Sequence, residues 1–344
     1  MQTTRFIAGA VATVLLCAED AAAGDARGMS NASSPPVSIP KAAAMNGAKS
    51  KHLTPDSTIG ELLRHPAFSG FGSLLLPWDG RDYDDTMRLR QAGSLLPYHS
   101  HVDPAAVTAG LNRMIDDAAA GRRVHYDIYT AQQKGVDPSL ESTGLFFFRG
   151  KPGAPFAIVA PGGGFQYVGS LHEGFPYAVE IARRGYNAFV LKYRVGSGGR
   201  LATQDLAAAL SYIVRNAEAL GVSRTGYSLW GSSAGARMAA AIGSHGAASF
   251  GGDELPRPAT VVMAYTGHSD VANVEPPTFV VSGGRDAIAP ASVMAQRVAA
   301  LKKTGAPVEY RHFQALEHGF GPGSGTSAAG WLDEAIDFWD KNLK

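Results

Sequence analysis

The sequence predicts an α/β fold with a mostly parallel central sheet and helices on both faces. From about residue 156 onward, short continuous apolar runs alternate with longer segments of helical periodicity, which is typical of parallel strands buried on both sides. One of these runs leads through a glycine-flanked serine into an alanine-rich segment, as a strand–turn–helix connection does. The chain has 344 residues, 45% of them hydrophobic and 18% charged, which is ample for a large core.

The individual elements are predicted from periodicity and from the residues at their ends. A short helix is expected to begin at Thr54-Pro55-Asp56, and a longer one to begin at Asp103 and end at Gly121, since these types are common at helix ends. Strands are then expected at residues 124–128, 144–148, 156–160, 188–193, 227–230, 260–265, 278–282 and 308–313. The first strand alternates apolar and polar residues, and the first two are expected to pair antiparallel. Helices are expected at residues 175–184, 201–220, directly after 233, 291–303 and 331–343.

Four regions are predicted along the chain. Residues 1–23 combine a basic start, an apolar run too short to span a bilayer comfortably and small residues for cleavage, which indicates a secretory signal peptide. Residues 24–52 are rich in Ala, Ser, Gly and Pro and are interpreted as a flexible linker. Residues 53–121 form a helical and loop extension, and residues 122–344 form the α/β domain. We therefore expect a secreted or periplasmic protein without a stable membrane span; the alternative is an apolar N-terminal helix of a cytosolic one.

Charge and cysteine content exclude several classes of function. The formal net charge is +1, so nothing predicts a nucleic-acid or anionic-membrane partner. The only cysteine is Cys17, inside the predicted signal peptide. A mature chain without cysteine has no disulfide, no thiol nucleophile and no thiolate metal site. Neither a metal nor an organic cofactor is expected.

The strand–turn–helix connection carries a nucleophile motif. Ser233 is flanked by Gly231 and Gly235, with Ser232 and Ala234 between. A serine at such a sharp turn projects above the sheet, and the bend leaves no room for a Cβ two residues to either side. Ser233 is therefore the predicted nucleophile, and Ser232 is expected to pack or hydrogen-bond beneath it. The alternative is a strand-to-helix connection with an incidental serine.

An acid and a base follow the serine in the chain. Asp286 comes directly after a predicted strand, and His318 comes just after the last one, where reactive groups of parallel sheets collect. A serine hydroxyl needs an imidazole to accept its proton, and the imidazole needs a carboxylate on its far nitrogen. The order Ser233, Asp286, His318 is also that of a known hydrolase class. The rival acids Asp333 and Asp337 lie on the last predicted helix, after the histidine.

A glycine run predicts an oxyanion hole. Pro161 is followed by Gly162, Gly163 and Gly164 at the end of a predicted strand, where residues without side chains let backbone N–H groups turn inward. Gly163, Gly164 and Ala234 are the predicted donors, the last because it follows the nucleophile. A phosphate-cradling loop is the alternative, but the run lacks the spaced glycines and the Lys-Ser/Thr ending that such a loop requires.

Aromatic and histidine side chains near these loops are weaker candidates. Phe165, Tyr167, His172 and Tyr265 are predicted to contact the substrate; the alternative for the aromatic residues is core packing, and for His172 it is capping of the next helix. The run His99–His101, with two histidines around a serine, has the right residues for a metal site but no third ligand near in sequence, so an exposed polar loop is the better interpretation.

Four segments together resemble a known superfamily: residues 161–165, 172–174, 187–194 and 231–235. They are similar to the α/β-hydrolase superfamily, and within it to secreted carboxylesterases whose oxyanion loop is a triple glycine, including acetyl xylan and feruloyl esterase-like enzymes. Many relatives have a histidine where Pro161 stands. The resemblance spans roughly residues 122–344 and implies an α/β-hydrolase fold that acts without a cofactor.

The residues and the resemblance lead to one functional prediction with two alternatives. We expect a serine carboxylesterase that acts on small acyl esters, including acetylated or feruloylated carbohydrate, through an acyl-enzyme. A peptidase or thioesterase on the same triad is the nearer alternative. A non-enzymatic ligand-binding protein of this fold is the more distant one, since such proteins typically lose a triad member. The oligomeric state is left open.

Overall fold

The computed structural model describes residues 51–343. The predicted signal peptide (1–23) and nearly all of the predicted linker (24–52) lie outside these residues and stay predictions. Lys51 and His52, at the end of the predicted linker, are exposed, whereas Leu53 is buried. Within residues 51–343, no helix is long and apolar enough to cross a membrane.

The central sheet confirms the predicted α/β fold. In the described part of the chain, eight strands form one sheet in the order β1-β2-β4-β3-β5-β6-β7-β8. The first two strands pair antiparallel, β2 also runs antiparallel to β4, and every other pair is parallel. The strands are β1 (His125–Tyr126), β2 (Gly144–Phe148), β3 (Phe156–Ala160), β4 (Asn187–Lys192), β5 (Ser228–Ser232), β6 (Thr260–Ala264), β7 (Thr278–Gly283) and β8 (Val308–Phe313).

Helices cover both faces of this sheet. The helices are α1 (Ile59–Leu63), α2 (Pro104–Ala119), α3 (Ala131–Val136), α4 (Phe175–Arg183), α5 (Arg200–Arg215), α6 (Ala217–Leu220), α7 (Ala234–His245), α8 (Ala291–Lys303) and α9 (Trp331–Asn342). Apolar residues of α2, α4 and α9 form one buried cluster with the extension, and those of α5, α7 and α8 form a second. Strands β3 to β7 are buried throughout because each lies between these two layers.

Three elements differ from their predictions. The first helix begins at Ile59, because Thr58 and Glu61 form a reciprocal capping box there and residues 54–57 make a turn instead. The first strand has only two residues, and both are buried, so the predicted half-buried alternation is wrong. The predicted helix 201–220 is interrupted at Asn216, where φ is −104° and ψ is 14°. The other predicted helices and strands are confirmed within one or two residues.

The extension (residues 53–121) packs closely on the α/β domain. Its helix α2 lies against α4 and shares the same apolar cluster. Lys192 at the end of β4 is fully buried, and its Nζ donates to the carbonyl oxygens of Leu76 (2.9 Å) and Pro77 (3.2 Å). The same Nζ lies 2.8 Å from Asp79 Oδ1. A buried ammonium needs such a complete set of partners, so Lys192 ties the extension to the sheet.

Candidate active site

The turn between β5 and α7 holds Ser233 in a conformation that non-glycine residues rarely adopt, with φ 49° and ψ −115°. Space around the turn is minimal. A Cβ on Gly231 would lie 2.5 Å from the amide nitrogen of Ala236, and one on Gly235 would lie 2.5 Å from the carbonyl carbon of Ala160. Both glycines are therefore required by the turn, which presents half-buried Ser233 at the carboxyl end of β5.

A line of hydrogen bonds joins Ser233, His318 and Asp286. Ser233 Oγ lies 2.9 Å from His318 Nε2, and His318 Nδ1 lies 2.7 Å from Asp286 Oδ2. A carboxylate only accepts hydrogen bonds, so Nδ1 carries the ring proton and Nε2 of the neutral ring accepts from the serine hydroxyl. The structure thus brings together the three residues predicted as a triad.

The loop that follows β7 fixes the carboxylate. Asp286 Oδ1 accepts from the backbone amides of Ile288 (2.9 Å) and Ala289 (2.7 Å), which leaves Oδ2 for His318. Both side chains are nearly inaccessible, Asp286 at 7% and His318 at 6% exposure. Low exposure strengthens a charge-assisted hydrogen bond, since water no longer competes for it. The arrangement can therefore hold the imidazole in one tautomer and orientation.

The glycine loop lies against the serine turn. A Cβ on Gly162 would lie 3.0 Å from Ser233 Cβ, and one on Gly163 would lie 2.8 Å from the carbonyl carbon of Tyr167. Gly163 and Gly164 have φ of 136° and 62°, which favour glycine. Within residues 51–343, the amides of Gly163, Gly164 and Ala234 donate no hydrogen bond. Three unused N–H groups thus belong to the two segments that meet at Ser233.

Three of the four predicted substrate contacts are interior. Tyr167, His172 and Tyr265 have at most 1% of their surface exposed, which puts their side chains out of reach of a substrate and corrects the prediction for them. His172 Nε2 instead donates to the carbonyl oxygen of Gly319 at 3.0 Å, in the loop that carries His318. Burial, with the charge of His99 beside it, lowers the pKa of His172 to about 4, so its ring is neutral at pH 7.

The fourth, Phe165, remains a candidate for substrate contact. It is half-buried with φ 57°, and a Cβ on Gly199 would lie 2.5 Å from its ring. Tyr98 of the extension is also half-buried, and its ring lies 3.0 Å from where a Cβ on Gly164 would be. Two aromatic rings therefore border the glycine loop, one of them not foreseen from the sequence.

In the run His99–His101, only His101 is exposed as the composition predicts; His99 and Ser100 contact the interior of the site. The side chain of His99 is 2% exposed, and its Nε2 lies 3.1 Å from Glu173 Oε2. Ser100 donates from its amide to the carbonyl oxygen of Gly319 (3.0 Å) and from Oγ to that of His318 (2.8 Å). The prediction was wrong because these partners lie far away in the chain and composition carries no signal of them.

The remaining sequence candidates have structural roles. Ser232 is fully buried, and its Oγ donates to the Tyr177 hydroxyl at 3.1 Å, which confirms its expected place beneath the turn. The rival acids Asp333 and Asp337 pair with Arg184, the residue directly after α4. Within residues 51–343, no group of three or more His, Cys, Asp or Glu side chains is arranged to hold a metal ion.

Two family models match consecutive parts of the chain. The BD-FAE model matches residues 149–261, and a model described as the prolyl oligopeptidase family matches residues 253–344. The first range contains the glycine loop and Ser233, and the second contains Asp286 and His318. No curated protein matches the chain significantly.

Solved structures share this fold. MGS-M1, an α/β hydrolase enzyme from a Medee basin deep-sea metagenome library, is 26% identical with a TM-score of 0.51 and covers 58% of this chain and 93% of its own. An acetyl ester-xyloside bifunctional hydrolase from Caldicellulosiruptor lactoaceticus is 21% identical with a TM-score of 0.55, covering 63% of this chain and 95% of its own. The propionate-bound esterase Est2 of Thermogutta terrifontis is 21% identical with a TM-score of 0.51, covering 58% and 89%.

Together the two family models match residues 149–344, which include strands β3 to β8 and the Ser233 turn, and MGS-M1 is described as an α/β hydrolase enzyme. The protein is a member of the α/β-hydrolase superfamily and a serine hydrolase enzyme.

Proposed function

We propose that the protein is a carboxylesterase that hydrolyses small acyl esters through a Ser233 acyl-enzyme. The observation that supports this most is the hydrogen-bonded line from Ser233 Oγ through His318 to Asp286, with distances of 2.9 and 2.7 Å. These heavy atoms already have, without a bound substrate, the spacing that proton transfer requires.

Acylation follows from this spacing. Ser233 Oγ attacks the ester carbonyl while its proton passes to His318 Nε2, and Asp286 stabilises the imidazolium that forms. His318 then gives the proton to the alcohol oxygen as the carbon–oxygen bond breaks, which releases the alcohol and leaves an acyl ester on Ser233. In deacylation, water attacks this ester and gives a proton to His318, and the carboxylic acid leaves as the proton returns to Ser233.

The negative charge that develops on the carbonyl oxygen during attack must be stabilised by hydrogen-bond donors next to Ser233. The amides of Gly163, Gly164 and Ala234 have no partner within the described residues and flank the Ser233 turn, so we assign the oxyanion hole to them. Donors of this kind do not reorganise during reaction, and each contributes about 3 kcal/mol to transition-state stabilisation in known hydrolases.

For the substrate class we propose esters of carbohydrate carrying acetyl or feruloyl groups. The support is the sequence resemblance to triple-glycine carboxylesterases, together with the half-buried rings of Phe165 and Tyr98 beside the glycine loop. Aromatic side chains with an accessible face suit the apolar face of a sugar or an aromatic acid.

A peptidase or thioesterase is the second candidate function. The prolyl oligopeptidase family model matches residues 253–344, which include Asp286 and His318. The amine released from an amide is a poorer leaving group than the alcohol released from an ester, and it must be protonated as it leaves. The same triad supplies that proton. Turnover of matched acetyl ester, thioester and peptide amide substrates separates these activities.

The test is a pair of adjacent serine variants. Ser233→Ala should stay folded, lose ester hydrolysis by several orders of magnitude and fail to react with a fluorophosphonate probe. Ser232→Ala should still be labelled at Ser233. The parent protein is assayed on p-nitrophenyl esters of increasing chain length and on acetylated and feruloylated sugars. Full activity of the Ser233→Ala variant would reject the mechanism, and activity on long chains only would reject the carbohydrate preference.

A further inference from the structure

A fully buried carboxylate lies behind the proposed oxyanion hole. Glu173 has no exposed surface and belongs to a π-helical turn, Ser170–Gly174, directly before α4. Its Oε2 accepts from the Gly162 amide at 2.6 Å, and its Oε1 accepts from the Tyr265 hydroxyl at 2.6 Å. The triad does not use this carboxylate, and an isolated buried charge is costly unless it is bound on all sides. Its placement therefore calls for an explanation.

The two oxygens of Glu173 reach the two loops of the site. Gly162 directly precedes the predicted oxyanion donors Gly163 and Gly164. Tyr265, on the other side, accepts from the Gly321 amide at 3.1 Å, and its ring centroid lies 5.2 Å from that of His318. One carboxylate thus connects the loop that bears the oxyanion donors to the loop that bears the general base.

The third donor to Glu173 comes from the extension. His99 Nε2 lies 3.1 Å from Glu173 Oε2, and His99 Nδ1 lies 2.9 Å from the Tyr167 hydroxyl. That hydroxyl already accepts from the Tyr98 amide at 3.0 Å, which leaves its own proton for Nδ1 of a neutral ring. In either the neutral or the charged ring, Nε2 then carries a proton and donates to Glu173.

The electrostatics favour an ionised Glu173. Burial alone would raise its pKa, but the charge and hydrogen bond of His99, with His172 and the Tyr265 hydroxyl, hold that pKa at about 2. The carboxylate is therefore charged over the whole neutral range. A charged acceptor makes the stronger hydrogen bonds, so it fixes the Gly162 amide more firmly than a neutral one.

We propose that His99 and Glu173 are a buried pair of positioning residues that hold the glycine loop and the His318 loop in register, so that the extension completes the active site. The proposal rests on the proposed function for the identity of the oxyanion donors. Ser100, the next residue of the extension, also holds the His318 loop, since it donates to the carbonyl oxygens of His318 and Gly319. Misplacement of a catalytic group by about 1 Å costs of the order of a hundredfold in rate.

The test compares four variants of the full chain. His99→Leu removes the donor, His99→Gln keeps an N–H donor near the same place, Glu173→Gln removes the charge, and His101→Asn alters the neighbouring exposed histidine as a control. We expect His99→Leu and Glu173→Gln to lower kcat by about tenfold to a hundredfold with KM changed less than about threefold. His99→Gln should recover most of the loss, and His101→Asn should match the parent.

Two further measurements separate positioning from stability and from the choice of substrate. Because the pair acts as one unit, the double variant His99→Leu with Glu173→Gln should lose no more activity than the worse single variant. The rate of fluorophosphonate labelling at Ser233 should fall in parallel with kcat. This rate can be measured even if the parent protein hydrolyses no ester. Absence of ester hydrolysis in the parent would reject the proposed function but not the positioning role of the pair. Variants with lower thermal midpoints but unchanged kcat and labelling rate would overturn the inference.

Discussion

Gly235→Ala tests how closely the nucleophile turn is packed. Gly235 is the second residue of α7 and lies where the helix starts against the end of β3. An added Cβ would lie 2.5 Å from the carbonyl carbon of Ala160 and 2.7 Å from the carbonyl oxygen of Pro161, and closest of all to the carbonyl oxygen of Ala160. All three are backbone atoms, so no side-chain rotation relieves the contact.

The magnitude follows from these distances. An ordinary van der Waals contact begins at 3.4 Å, so relief of the 2.5 Å contact alone requires α7 and the end of β3 to separate by about 1 Å, and relief of the contact with the Ala160 carbonyl oxygen requires more. Overpacking of a well-packed core costs about 1–3 kcal/mol, and the rigid backbone on both sides favours the upper limit, about 3 kcal/mol. A loss of this size lowers the thermal midpoint by roughly 6–12 °C in a domain of this size. The same shift displaces Ser233 from the glycine loop, and about a hundredfold in kcat is expected to be lost with it.

The control is Gly267→Ala. Gly267 follows β6 at the same edge of the sheet, is exposed, and has no atom within 4 Å of an added Cβ, so the free energy of unfolding should change by less than about 0.5 kcal/mol. Urea unfolding measures stability, and hydrolysis of a short acyl ester at saturating substrate measures kcat. If Gly235→Ala matched Gly267→Ala in both, the turn would not be limited by backbone packing and the argument would fail.

Three other outcomes are expected. Asp286→Asn should keep the fold but lower kcat by about 10⁴-fold, because an amide favours the wrong tautomer of the triad imidazole; loss of less than tenfold would place the acid elsewhere. His172 and His125 have pKa values lowered to about 4, chiefly by burial, so the unfolded chain binds more protons below pH 6.5. Stability should therefore fall as the pH drops from about 6.5 to 4, and equal urea midpoints at pH 7 and pH 4.5 would contradict this. Lys192→Met should cost about 3 kcal/mol in urea unfolding, since it leaves Asp79 and two carbonyl oxygens without their cation; an unchanged midpoint would show that this tie is dispensable.

The catalytic candidates at the ends of the strands could be predicted from the sequence. In a parallel sheet the carboxyl ends of the strands meet at one edge, so the positions of Ser233, Asp286 and His318 relative to apolar runs predicted that their side chains converge. The distances of 2.7 and 2.9 Å between them fit that argument. Local rules were sufficient because each residue lies within a few positions of a strand whose place in the sheet follows from its pattern.

The packing of the interior of the site could not be predicted from the sequence. Tyr167 and Tyr265 are aromatic residues after strands, and sequence cannot distinguish a ring that lines a pocket from one that packs beneath it. The burial of Tyr167 depends on the extension, because Trp78, Tyr98 and His99 pack on its ring. The Tyr98–Ser100 segment also contacts the His318 loop, and these contacts join residues 68 to 218 positions apart in the chain. Contacts at such separations are selected by tertiary packing, for which one sequence carries no periodic signal. The wrong interpretation of His99 has the same origin.

The extension cannot be regarded as a separable lid. It contributes α2 to the apolar cluster on one face of the sheet, and its carbonyl oxygens satisfy the fully buried ammonium of Lys192. It also supplies His99, one of the three donors to the buried carboxylate of Glu173. Removing it would expose apolar surface, leave the Lys192 ammonium without its partners and deprive the Glu173 carboxylate of one of its three donors; each of these is costly by itself. Stability and the geometry of the site therefore depend on the same segment, so a chain truncated before residue 122 should lose both together.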